Sequence, residues 1–115
     1  MAQYLHLPIY IKTYNFIKIV HRIVHQFRKE YKYTLGSELL HIIWQILDEI
    51  IATNSLPDNE KKEGIEEISQ LFDKFKIRFR FAYEAGLVPC AKFGIAQKEI
   101  GEIGKMIGGW QKWSK

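Results

Sequence analysis

Few side chains in this 115-residue sequence stand at spacings that chemistry could use. His21 and His25 lie one helical turn apart and could share a metal ion, as the first two ligands of an HExxH motif do. Residue 22 is Arg rather than Glu, no third ligand is evident, and Lys18 adds more positive charge, so no metal site is expected. Cys90 follows Pro89 at a helix start, where a thiolate could be stabilised, but no base can be assigned to it and it reads as a small packing residue. As the only cysteine, it excludes an intrachain disulfide framework and a cysteine-rich zinc centre, and it fits a reducing, cytoplasmic setting. Gly101, Gly104 and Gly108 fall within a helical pattern and lack the Lys-Ser/Thr ending of a phosphate loop. Asp48-Glu49 and Glu66-Glu67 are sequence neighbours, so on a helix they point apart and cannot form an acid–base dyad. No catalytic constellation and no cofactor follow from these residues, and the chain reads as a non-enzyme.

What remains is charge. The net value of +4 on 17 basic and 13 acidic residues says little by itself, but its distribution is uneven. Residues 1–33 carry +5, residues 34–56 carry −3, residues 57–87 carry −1 and residues 88–115 carry +3. Lys18, Arg22, His25 and Lys29 recur at helical spacing opposite the apolar stripe Phe16, Val20, Ile23, Phe27, with Arg28 on the flank and no acid on that face. Lys98, Lys105 and Lys112 form a second basic stripe. From Asp58 to Glu67 the sequence is acidic and from Lys74 to Arg80 it is basic, a polarity that suits a helix dipole without any ligand. No zinc finger, RNP pattern or helix-turn-helix is present. Any nucleic acid would be held by its phosphates, with strong salt dependence and little sequence preference.

The elements that must position these residues are helices. Pro8, Pro57 and Pro89 punctuate stretches of apolar residues at i, i+3, i+4, i+7. The spacing predicts helices over about 8–32, 34–54, 58–85 and 91–110, with Thr34 as the second N-cap and Ser55 or Asp58 as the third. Ile77-Arg78-Phe79-Arg80-Phe81 alternates as a strand would, but the helical phase of Phe72, Phe75, Phe79 and Ala82 runs through it. Four such helices with short connections make one domain over residues 1–115: an all-α, up-down-up-down antiparallel four-helix bundle. Hydrophobic residues are 47% of the chain, too many for disorder, and no apolar run is long enough to span a bilayer. Residues 1–12 lack the basic start and cleavage site of a signal peptide, so a soluble cytoplasmic protein is expected.

Apolar residues outside the core stripes are the next signal. Leu40, Trp44 and Ile51 cluster on a flank of the second helix, and Ile77 and Phe81 fall off the core line of the third; these predict a homo-oligomer interface. Each of Gly101, Gly104 and Gly108 costs about 1 kcal/mol relative to Ala inside a helix. A smooth flank for a close neighbour, in the bundle or in another subunit, would offset that.

Four stretches together resemble a known family: Leu7-Pro8; Tyr33-Thr34-Leu35-Gly36; Arg78-Phe79-Arg80-Phe81-Ala82-Tyr83-Glu84 with Gly86-Leu87-Val88; and Glu102-Ile103-Gly104-Lys105-Met106-Ile107-Gly108-Gly109-Trp110. The chain is similar to the accessory variability determinant (Avd) proteins of diversity-generating retroelements, grouped with four-helix proteins encoded by intervening sequences of 23S ribosomal RNA genes. The resemblance implies a non-catalytic homopentameric barrel that binds RNA or DNA and the element's reverse transcriptase during mutagenic retrohoming. It also implies a basic surface at Lys18, Arg22, Arg28, Lys29 and Lys32, extended by Arg78, Arg80, Lys98 and Lys105. The competing expectation is a stand-alone four-helix interaction module whose basic face is merely solvated and whose Trp44 flank docks another protein.

Overall fold

A computed structural model describes residues 3–115. After a short 3-10 turn the chain forms α1 (Pro8–His25), α2 (Lys29–Tyr31), a π-helical turn over Lys32–Gly36, α3 (Ser37–Asn54), α4 (Lys62–Glu84) and α5 (Cys90–Trp113). No strand occurs among the described residues, and α4 runs unbroken through Ile77–Phe81. Pro8 opens α1, where its missing N–H would be unpaired in any case.

The first helix ends at His25, seven residues short of the expected 32. Nothing in the sequence marks the break, because Phe27 continues the apolar spacing; it stays buried by folding under the end of the core. Arg28 is extended (φ −58°, ψ 146°), and helical backbone then resumes from Lys29 through the π turn into α3. Gly36 is the hinge of this corner: a Cβ there would lie 2.7 Å from Val24 Cγ1 and 3.3 Å from the Tyr31 carbonyl, so only glycine lets the two helices approach. Thr34 lies inside the π turn and donates its hydroxyl to the Glu30 carbonyl at 3.0 Å, so it is not the expected N-cap. Neither Ser55 nor Asp58 caps α4: Ser55 donates to the Ala52 carbonyl, and Asp58–Glu60 is a separate 3-10 turn.

The α4–α5 link follows its sequence signals closely. Gly86 takes φ +80°, Leu87 N–H bonds to the Ala82 carbonyl and Gly86 N–H to the Tyr83 carbonyl, both at 3.0 Å. This is the Schellman ending, closed by the buried side chain of Leu87.

α1 packs between α3 and α5, and α4 completes the square against the same two helices. Neighbours are antiparallel: Lys12 near the start of α1 meets Glu99 and Glu102 of α5, Glu38 near the start of α3 meets Arg78 late in α4, and Thr53 near the end of α3 abuts Gly64 at the start of α4. The result is a rod of 44 × 25 × 20 Å. Across the diagonal Phe16 meets Phe75 edge-on at 5.7 Å, and Phe75, Phe79, Phe93 and Tyr83 continue as a stacked column. Burying a phenyl side chain of this kind stabilises by about 3–5 kcal/mol relative to Ala.

Candidate nucleic-acid interface

Antiparallel packing turns the uneven charge of the sequence into an axial polarity. Cutting the bundle at mid-helix, after residues 16, 45, 73 and 101, leaves eleven Lys and Arg with four Asp and Glu in the half holding the α1–α3 corner and the α4–α5 turn, a balance of +7. The other half holds six and nine, a balance of −3. The basic half also contains His21, His25 and His41.

Within that half the expected residues differ in availability. Lys18, Arg22 and Lys29 are exposed and Lys32 is half-buried, and none of them makes an ion pair among the described residues. His25 is exposed beside them. Arg28, Lys29 and Lys32 sit beyond the end of α1, at the corner, rather than on one helix face with Lys18 and Arg22. Arg28 lies 3.6 Å from Glu30, a loose surface contact worth little. Arg78 is bound to Glu38 and Arg80 to Glu84 (3.0 Å), so these two are partly neutralised. Lys98 lies at the edge of the basic half and Lys105 in the other half; the two flank Glu102, whose carboxyl is held below its ordinary range chiefly by the bond from Lys12 and further by those two lysines. Of the expected cations the freest are therefore Lys18, Arg22, Lys29 and Lys32; Lys74 and Lys92 in the same half are likewise exposed and make no ion pair among the described residues. Three basic groups lie over tyrosine rings: Lys18 on Tyr14 at 4.9 Å, Arg28 on Tyr31 at 5.4 Å and Lys32 on Tyr33 at 6.0 Å. Such pairs place aromatic rings among the cationic groups of this half.

A cleft of about 800 Å³ opens between the end of α1 and the start of α5. Ile19, Ile23, Pro89 and Ile95 line its apolar part, and His21, Arg22, His25, Gln26 and Lys92 its polar part. No acid lines it. Lys92 and Ile95 escape a reading of single helices, because they join Arg22 and His25 only when the antiparallel order sets the start of α5 beside the end of α1. A smaller depression of about 360 Å³ between the Asp58–Glu60 turn and the start of α4 is lined by Asn59, Glu60, Lys62, Glu63 and Glu66, the wrong sign for a polyanion.

The five apolar residues expected at an oligomer interface separate into two faces. Trp44 donates its indole N–H to His21 Nε2 at 3.0 Å on the α1 side of α3, and Leu40 and Ile51 beside it are half-buried against the core. Ile77 and Phe81 point outward from α4, 69% and 56% exposed, with α3 between the two patches. The Trp44 bond also fixes His21 as an acceptor at Nε2, and no group of three His, Cys, Asp or Glu able to hold a metal exists among the described residues. Of the three glycines on α5, Gly104 faces Phe72, where a Cβ would sit at 3.6 Å, whereas Gly101 and Gly108 face open space. Cys90 is exposed; bonding to its thiol, with lesser contributions from its charge and from burial, holds the Tyr83 phenol above its ordinary range.

Among known families, one described as bAvd-like matches the chain over residues 8–114. The chain belongs to the bAvd-like family. Membership suggests an accessory protein of a diversity-generating retroelement, from a family that is generally non-catalytic. Among curated proteins, none matches the sequence. In this bAvd-like chain the Tyr33–Gly36 stretch is the π turn that carries the corner, and the Arg78–Val88 stretch supplies the end of α4 with its Schellman turn. Both stretches shape the basic half of the bundle. No helix is long and apolar enough to cross a membrane among the described residues.

Proposed function

We propose that this bAvd-like protein is a non-catalytic accessory subunit that binds RNA or DNA through the basic half of its bundle, without sequence preference, and associates with the reverse transcriptase of its retroelement to support mutagenic retrohoming. The observation that carries the nucleic-acid part is a group of cations without acid partners among the described residues, Lys18, Arg22, Lys29 and Lys32, in a half-molecule of balance +7. The reverse-transcriptase part rests on family membership. Phosphate-driven binding falls steeply with salt, each duplex phosphate neutralised adding about 0.9 to the slope of log affinity against log salt. A Lys18→Ala/Arg22→Ala/Lys29→Ala variant is therefore expected to lower that slope by about 2–3 in fluorescence anisotropy titrations at several salt concentrations. Equal affinity and slope for variant and wild type would overturn the assignment of this face. A search of the gene's neighbourhood for a reverse transcriptase, followed by co-purification with it, tests the other half of the proposal; no such gene, or no association, would overturn that half.

A second reading, a protein-interaction module, is favoured by the exposed Ile77 and Phe81 on the outer ridge of α4. It predicts no salt-dependent binding of nucleic acid, so the same titration separates the two.

A further inference from the structure

We infer that the cleft between the end of α1 and the start of α5 takes a single-stranded nucleic-acid segment, with its bases on isoleucine side chains and its phosphates on Arg22 and Lys92. This rests on the nucleic-acid reading above and gives it a place and a preferred strand state.

Surface attraction for a duplex needs only positive charge, because the phosphates lie outside and the bases are hidden. The cleft offers something else. Ile95 is 54% exposed although the core has no use for it there, and Ile19, half-buried, and Ile23 lie beside it. Arg22, His25 and Lys92 line the same cleft, and no carboxylate is among its residues. Apolar faces edged by cations suit an unstacked strand, whose bases shed water against them while its backbone seeks positive charge. Dimensions agree. At about 800 Å³ the cleft falls within the 300–1,000 Å³ range of sites for small organic groups. It follows the seam where the end of α1 packs beside the start of α5, open to solvent along its length. A duplex, whose bases are stacked and paired inside its backbone, has no exposed base face to set on these isoleucines. The first turn of α5 adds to the field, having no acidic residue and no side-chain cap on its amides.

The test uses fluorescein-labelled 12-nucleotide probes, one single-stranded and one the blunt duplex of the same sequence, by anisotropy at fixed salt. Wild type is expected to bind the single strand about tenfold tighter than the duplex. Ile95→Gln keeps charge and helix propensity at an exposed site; it is expected to weaken the single strand to near parity while leaving the duplex within about twofold. Lys92→Gln is expected to weaken the single strand about fivefold. Circular dichroism of both variants confirms that they remain folded. A duplex preference in wild type, or an Ile95→Gln effect that is equal on both probes or absent, would overturn the cleft assignment and leave binding by the basic half standing. Failure of wild type to bind either probe would overturn both. Adenosine monophosphate is expected not to compete below millimolar concentration; displacement of the strand at micromolar levels would make the ligand a free nucleotide and overturn the strand assignment.

Discussion

At the level of single residues, two buried hydroxyls and one ion-pair cluster set the local balance. Thr13 and Thr53 are buried with no hydrogen-bond partner for their hydroxyls. A lone buried hydroxyl costs about 1–3 kcal/mol, whereas a methyl in its place costs nothing in desolvation. Thr13→Val, which keeps the β-branched shape, is expected to raise stability by about 1 kcal/mol in urea unfolding. Lys12 reaches Glu99 at 3.1 Å and also binds Glu102, an arrangement that raises the Lys12 pKa and lowers that of Glu102. A lowered carboxylate stabilises the fold above its unfolded pKa and loses that contribution as pH falls through its folded value. A raised lysine contributes below its unfolded pKa and loses the contribution as pH rises through its folded value. Lys12→Met is therefore expected to lower the melting temperature at neutral pH, and the gap from wild type is expected to close on acidification through the carboxylate range; a gap unchanged by pH would remove the pairing as its cause. The partners of Lys12 and Arg78 were hidden in the sequence because they lie 40 or more positions away. For Lys18 and Arg22 the sequence shows only that no acid shares their helix face; that no acid of a neighbouring helix reaches them, as Glu99 and Glu102 reach Lys12, is set by the packing.

Among the elements, periodicity placed four helices and their core stripes, because one buried face at 3.6-residue spacing is a local property. The failures are at the α1–α3 corner. Helix one stops at His25 although no glycine or proline marks the place, since Phe27 satisfies both a continued helix and a corner tucked under the core. Thr34 looks like a cap and instead bonds backward within a π turn fixed by the contact of Gly36 with Val24. Those are tertiary decisions, and a local pattern cannot contain them. The glycine flank of α5 resolves only in part: Gly104 serves Phe72, but Gly101 and Gly108 meet nothing. Gly101→Ala should therefore add about 1 kcal/mol to the stability of the isolated chain through helix propensity alone. Thermal unfolding at low protein concentration checks this, and a loss of stability would mean that Gly101 is already packed against something in solution.

For the whole molecule, the separation of the two apolar patches constrains assembly. A two-fold dimer joins one patch to its own copy, whereas a ring joins unlike patches on different faces of each subunit. Leu40, Trp44 and Ile51 on one side of α3, and Ile77 with Phe81 on the outer ridge of α4, are such a pair of unlike faces. Antiparallel packing also sets Ile77 at about the axial level of Leu40, as the Glu38–Arg78 pair shows, so subunits with parallel axes can bring ridge and groove together without an axial shift. Parallel axes have an electrostatic consequence: every basic half then lies at the same end, and one polyanion can engage several copies, which raises its apparent affinity without new contacts. Ile77→Ser/Phe81→Ser alters no charge and touches none of Lys18, Arg22, Lys29 or Lys32. It is expected to shift the protein from oligomer to monomer in sedimentation velocity and to lower affinity for a long single strand at least tenfold, while affinity for a short probe spanning one subunit stays within about twofold. Loss of assembly with undiminished long-strand affinity would show that each bundle binds alone, and a wild-type monomer at micromolar concentration would remove the ring geometry.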